Sequence, residues 1–137
     1  MSLLRDYLKS QILKLKGKEV QEAKQKSEIL IQHFFKISKS ELYFKDIIIS
    51  ETEIKNLNDL FFELQQNKPI QHIIGETYFY DSKFLTPPGV FIPRPETELL
   101  VDCAIEFLSK KKQPLKIVDF CTGSGCILLS IAKQFPN

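Results

Sequence analysis

Apolar side chains recur every three or four residues from Leu3 to Leu64, and at Pro69 that rhythm stops. A period near 3.6 commits a segment to amphipathic helix, and a break in the period marks a change of architecture. The first run holds Leu3, Leu4, Tyr7, Leu8, Ile12 and Leu15, with Gly17 ending it. The second places Val20, Ala23, Ser27, Leu30, Ile31, Phe34 and Phe35 on one face. Ser38 with Glu41, and Ser50 with Glu53, have the spacing of capping boxes, in which each side chain satisfies a free backbone N–H of the first helical turn. The second box opens a run of Ile54, Leu57, Leu60, Phe61 and Leu64, which Lys68-Pro69 closes because proline pushes its predecessor out of the helical region. Four such pieces suffice for a small antiparallel bundle, so a helical domain is expected over residues 1–68.

Beyond Pro69 the composition changes. Thr77-Tyr78-Phe79-Tyr80 is β-prone, Asp81-Ser82 is turn-prone and Lys83-Phe84-Leu85 returns to extended character, which predicts a hairpin. Thr86-Pro87-Pro88-Gly89 cannot be helical, and Pro93 and Pro95 hold Ile92 and Arg94 extended. Pro95 suits the first position of a helix, where its missing N–H has no partner to lose. That helix is expected to bury Leu99, Leu100, Cys103, Ala104, Phe107 and Leu108. Pro114 ends the linker that follows. Leu115 to Phe120 is apolar almost without alternation, the pattern of a parallel strand covered on both faces. A last helix is expected over residues 127–135. The expected fold class is α+β: a helical bundle, a hairpin linker over residues 69–94, and one βα unit in residues 95–137.

The junction Asp119-Phe120-Cys121-Thr122-Gly123-Ser124-Gly125 leads from that strand into that helix. Such a turn sets backbone N–H groups and open space at the carboxyl edge of a sheet, where open α/β folds bind ligands. Gly123 and Gly125 permit positive φ and remove the Cβ that would keep a ligand away. Two rival motifs fail. A dinucleotide fingerprint needs a third glycine where Leu128 stands, and a phosphate-binding loop needs Gly-Lys-Ser or Gly-Lys-Thr. Asp119 can serve the turn by accepting its backbone N–H groups, or face a ligand directly. Arg94, clamped between two prolines, has little freedom, so Pro93 to Thr97 is read as a fixed wall over a cofactor or substrate entrance.

Together, Phe91-Ile92-Pro93-Arg94-Pro95-Glu96-Thr97-Glu98 and the Asp119 to Gly125 turn resemble the release-factor glutamine N5-methyltransferases, the HemK or PrmC family. The resemblance is weak over the first 68 or so residues and strong from Pro69 to Ala132. It implies S-adenosyl-L-methionine as cofactor, held by Asp119, Cys121, Thr122, Gly123, Ser124 and Gly125 with Arg94 and Thr97, and it implies no metal. Cys121 stands where the family pattern Asp-x-Gly-x-Gly-x-Gly has its first glycine. It implies a helical substrate-recognition domain, a hairpin, and a Rossmann-like class I methyltransferase domain that methylates the glutamine of the Gly-Gly-Gln motif in peptide chain release factors. The family aims that amide with an Asn-Pro-Pro-Tyr loop, and it binds the cofactor's ribose through an acid at the end of the second strand. Neither feature is present, so the chain is expected to be the N-terminal part only, with no catalytic residue assignable and no activity alone. The alternative is a non-catalytic module that binds release factors through its helices. Relatives that methylate a ribosomal protein differ at the proline-arginine segment, and adenine-N6 DNA methyltransferases are disfavoured by the near-neutral charge and the helical first domain.

Composition narrows the remaining classes. A formal charge of +2 gives no basic field of the kind nucleic acids require, and Lys110-Lys111-Lys112 is expected to be a solvated helix end. No apolar stretch approaches the ~20 residues that cross a bilayer, and the N-terminal pattern lacks the apolar core of a signal peptide. A cytoplasmic monomer is expected. Cys103, Cys121 and Cys126 have neither metal spacing nor an even count, so reduced thiols, mostly buried, are expected. His33, on an apolar helix face, and His72 have no acid or cysteine at catalytic spacing and are read as structural.

Overall fold

The computed structural model describes residues 2–111 and 115–135. Lys112 and Pro114 lie outside the described residues. The chain divides between Ile74 and Gly75 into two compact units.

The first unit contains β1 (Ser2–Leu3), α1 (Leu4–Gly17), α2 (Ala23–Phe35), α3 (Lys39–Phe44), β2 (Ile48–Ile49), α4 (Glu51–Gln65) and α5 (Ile70–Ile74). Both capping boxes form: the Ser38 and Ser50 hydroxyls accept the N–H of Glu41 and Glu53, whose carboxylates accept the serine N–H in return. Each cap is worth about 1 kcal/mol. The periodic positions close one core of Leu4, Leu8, Leu15, Leu30, Ile31, Leu42, Ile49, Leu57, Phe61 and Leu64. At about 1.5–3 kcal/mol for each such side chain withdrawn from water, that core dominates the unit's stability. Lys68-Pro69 ends α4 but not the unit, because the chain re-enters as α5 and buries Ile70 in the same core. Leu3 belongs to a short antiparallel pair, Leu3 opposite Ile48 and Ser2 opposite Ile49, and not to the helix expected there.

Two polar groups inside this unit are satisfied. The buried Gln11 amide donates to Asn58 Oδ1 at 3.1 Å and the Tyr7 hydroxyl donates to the same oxygen at 2.9 Å, joining α1 to α4. Burial pushes the Tyr7 phenol up to about 12, against the opposing effect of the Gln11 hydrogen bond. Glu28 on α2 has a side chain only 6% exposed. Burial alone would raise its pKa. The Tyr43 hydroxyl, Lys39 at 3.0 Å and Lys24 at 3.8 Å outweigh that and hold the carboxyl below the usual range. Tyr43, in turn, is pushed up to about 12, first by that hydrogen bond and then by burial.

The second unit contains β3 (Glu76–Phe79), β4 (Ser82–Leu85), a 3-10 turn (Pro95–Thr97), α6 (Glu98–Ser109) and α7 (Cys126–Gln134). The hairpin register pairs Glu76 with Leu85 and Phe79 with Ser82. Its inner face places Phe79 and Phe84 edge to face at 6.2 Å, packed with Val101, Cys126 and Ile131.

Three expectations are corrected here. No strand forms over residues 115–120: a strand needs a ladder partner, and among the described residues of this unit β3 and β4 pair only with each other. Leu115, Ile117, Val118 and Phe120 are exposed instead. The buried face of α6 is also rotated from the expected one. Val101 is fully buried with Ala104, Ile105 and Leu108 beside it, while Leu99 (68%), Leu100 (55%) and Phe107 (59%) face solvent and Cys103 is exposed. This helix is apolar nearly all round, so the partner chooses the face, and here that partner is the hairpin and α7. Finally, Cys126 alone is buried among the thiols.

Candidate functional site

The Asp119 to Gly125 turn follows from a repeat of left-handed residues. Cys121 (φ +60°), Gly123 (φ +57°) and Gly125 (φ +75°) all take positive φ, so the chain reverses tightly before α7. The Gly125 N–H donates to the Thr122 carbonyl at 2.9 Å, and the Leu129 N–H donates to the Gly125 carbonyl at 2.9 Å. A Cβ on Gly125 would lie 3.4 Å from Leu129 Cδ1 in an unsuitable backbone conformation. Helix α7 begins without a side-chain cap. Its first-turn amides therefore have no side-chain acceptor, the condition in which a helix start offers hydrogen bonds to a ligand.

Asp119 is half-buried, and its Oδ2 accepts the Thr122 hydroxyl at 3.0 Å. A side-chain hydroxyl thus takes the place of the turn amides that the sequence suggested. Cys121, Thr122 and Gly123 are exposed, and Ser124 and Gly125 half-buried. The turn is open to solvent.

Arg94 holds extended backbone (φ −93°, ψ 142°), as its two prolines require, and Pro95 takes the first helical position of the 3-10 turn. The Arg94 guanidinium lies 5.8 Å over the Phe91 ring. Arg94 and Thr97 line one open depression together with Glu96 and Leu100. The structure therefore brings the predicted residues together in two groups, Arg94 with Thr97 and Asp119 with Thr122. Among the described residues, no hydrogen bond, ion pair or ring contact joins one group to the other.

Glu96 lies in the segment read as a wall, whereas sequence reasoning expected Leu100 in the core rather than in the depression and gave Glu98 no role. The Glu98 carboxylate accepts the Tyr80 N–H at 2.8 Å, while Asp102 accepts the Tyr80 hydroxyl at 2.8 Å. The available signal was the four-residue spacing of Glu98 and Asp102, which puts both acids on one helix face. His33 is exposed and His72 half-buried, and neither belongs to either group. Among the described residues no set of three or more His, Cys, Asp or Glu could hold a metal, and no helix is long and apolar enough to cross a membrane.

The profile of the PrmC N-terminal domain matches residues 6–75. A release factor glutamine methyltransferase of Thermodesulfovibrio yellowstonii is 40% identical over 114 residues, covering 79% of this chain and 39% of the relative. Others so named, from Bacteroides thetaiotaomicron and Chlorobaculum tepidum, are 42% identical over 93 residues and 32% identical over 137 residues. They cover 68% and 96% of this chain, and 32% and 47% of the relatives. The chain belongs to the PrmC family of release factor glutamine methyltransferases. It spans less than half the length of these relatives.

Proposed function

We propose that this chain is the leading part of a protein-glutamine methyltransferase that takes its methyl group from S-adenosylmethionine and modifies the Gly-Gly-Gln glutamine of peptide chain release factors in the cytosol. The helical unit recognises the release factor, and residues from 95 onward begin a Rossmann-like methyltransferase domain. The observation that carries this reading is the pairing, in one chain, of the Pro93 to Glu98 arm with a turn in which Cys121, Gly123 and Gly125 are all left-handed.

The residues fit the cofactor. The glycines leave room, the α7 start supplies N–H donors, and Asp119, tied to Thr122, supplies a fixed carboxylate for an ammonium or sulfonium group. The cofactor contributes a methyl group activated by positive sulfur, so this chain's own part is to bind and to orient. A glutamine amide nitrogen is a poor nucleophile, and aligning it is worth on the order of 7 kcal/mol or more. The Asn-Pro-Pro-Tyr loop that would align it does not occur in the 137 residues. These residues alone therefore bind the cofactor weakly and transfer nothing. A binding-only role is favoured by one observation, that the core of the first unit is closed within itself.

The test is incubation of the purified chain with labelled S-adenosylmethionine and a release factor, beside a longer version carrying the loop. Label is expected on the release factor with the longer version only. Transfer by the 137-residue chain at a comparable rate refutes the assignment of catalysis to the missing loop, and failure of both to label refutes the substrate.

A further inference from the structure

The turn of the hairpin is held by more bonds than a two-residue connection requires. Tyr80 has φ +51°, a left-handed conformation that side chains of its size rarely adopt, and neither Tyr80 nor Asp81 is the glycine or asparagine that such turns favour. Three side chains compensate. Glu98 Oε1 accepts the Tyr80 N–H at 2.8 Å, Asp102 Oδ1 accepts the Tyr80 hydroxyl at 2.8 Å, and Lys133 Nζ donates to the Asp81 carbonyl at 2.9 Å and Ser82 Oγ at 3.1 Å. Two acids one helical turn apart thus grip both ends of a single residue. A glutamate in the first turn of a helix would ordinarily serve its own free N–H groups. Glu98 serves the hairpin instead.

That bond closes a loop. The chain leaves β4 through Thr86, whose N–H donates to the Gly75 carbonyl at 2.9 Å, and it returns at Glu98, whose carboxylate is back on the hairpin turn. The arm between is ordered by the Val90 N–H on the Pro87 carbonyl at 3.1 Å, the Thr97 N–H on the Arg94 carbonyl at 3.0 Å, and Arg94 over Phe91. We infer that Glu98 is a positioning residue: by anchoring the arm to the hairpin turn it fixes where Arg94 and Thr97 are presented. It touches no ligand and acts through the arm, and the inference rests on Arg94 and Thr97 being cofactor contacts.

The test compares the whole chain with its Glu98→Ala and Glu98→Gln variants by amide exchange, with S-adenosylmethionine then added and followed by amide resonance shifts. In Glu98→Ala, exchange at Val90 and Thr97 is expected to quicken about tenfold, the effect of one lost hydrogen bond, while Val101 and Ile131 keep their rates. Glu98→Gln restores slow exchange, because an amide oxygen accepts the same N–H. Unchanged exchange at Val90 and Thr97 in Glu98→Ala overturns the inference, as does a glutamine that behaves like alanine. Should the alanine variant lose its core, as seen at Val101 and Ile131, Glu98→Asp carries the same test with its carboxylate one carbon short. The cofactor separates two failures. A wild-type chain whose Arg94 to Thr97 and Asp119 to Gly125 amides do not shift refutes the cofactor reading and leaves the exchange result standing. Wild-type binding that Glu98→Ala fails to weaken overturns the inference.

Discussion

Helices α4 and α6 have comparable lengths, 15 and 12 residues, and both carry enough apolar residues to face a core, yet they end in different states. Helix α4 is capped by Ser50 and Glu53 and buries Leu57, Phe61 and Leu64 completely. Helix α6 is the more apolar of the two, has no side-chain cap, and buries only Val101 completely while Leu99, Leu100 and Phe107 stay in water. The difference lies in the partners. Helix α4 belongs to a unit whose other helices supply matching stripes, whereas α6 has a two-stranded hairpin and one nine-residue helix against a single side. Amphipathic pattern creates the demand for burial, and only the number of neighbouring elements meets it.

Substitutions at matched positions sharpen this contrast. Phe61→Ala removes a large side chain from the closed core and is expected to cost about 3–5 kcal/mol, read as a lower urea midpoint for the helical signal. Phe107→Ala, on the exposed side of α6, should change it hardly at all. Glu28→Gln leaves the Tyr43 and Lys39 partners poorly matched and is expected to cost about 1–3 kcal/mol in the same assay. The pH dependence has a definite sign. The folded Glu28 carboxyl lies below its unfolded value, so its contribution is complete above the ordinary glutamate pKa of about 4.3 and is lost as pH falls through the lowered folded value. Acid destabilisation of the first unit should therefore shrink in Glu28→Gln. What remains belongs to Glu41, held down first by Lys45 at about 2, and Glu53, held down by Ser50.

Smaller effects complete the series. Ser50→Ala removes the α4 cap and is expected to cost about 1 kcal/mol, checked by the same urea midpoint. Cys121→Gly should work in the other direction. It relieves a left-handed cysteine, for a local gain of up to about 1 kcal/mol, and should slow exchange at the Gly125 and Leu129 amides. A slower rate there with no change in the first unit keeps the two units energetically separate. A shift of the α4 amides on Cys121→Gly would break that separation.

The readable parts of the sequence were those with local causes. Boxes at Ser38 and Ser50 need only three-residue spacing, and α1, α2 and α4 need only a period, so all were legible. The glycine turn carries its own turn-forming residues, and the hairpin was legible from its β-prone flanks, although its turn falls on Tyr80-Asp81 and not on the expected Asp81-Ser82. Helix α5 was not legible, because its five residues show no full period and owe their place to Ile70 in a distant core. Leu115 to Phe120 read as a strand because apolar β-prone residues describe what a strand needs, and the ladder partner it also needs is not a local property. The buried face of α6 failed for the same reason. At the site, glycine positions pointed to the turn and the spacing of Glu98 and Asp102 marked a shared helix face, while their partner Tyr80 lies 18 residues before Glu98 and is not a local property.

Limited proteolysis of the whole chain, with the products weighed intact, tests most directly whether one unit is closed and the other open. Early cuts are expected within residues 86–95 and 115–124, with a surviving product that contains α1 to α5. Cleavage within Ala23–Phe35 as fast as within residues 86–95 would contradict it, and would mean that the helical core depends on the residues that follow it.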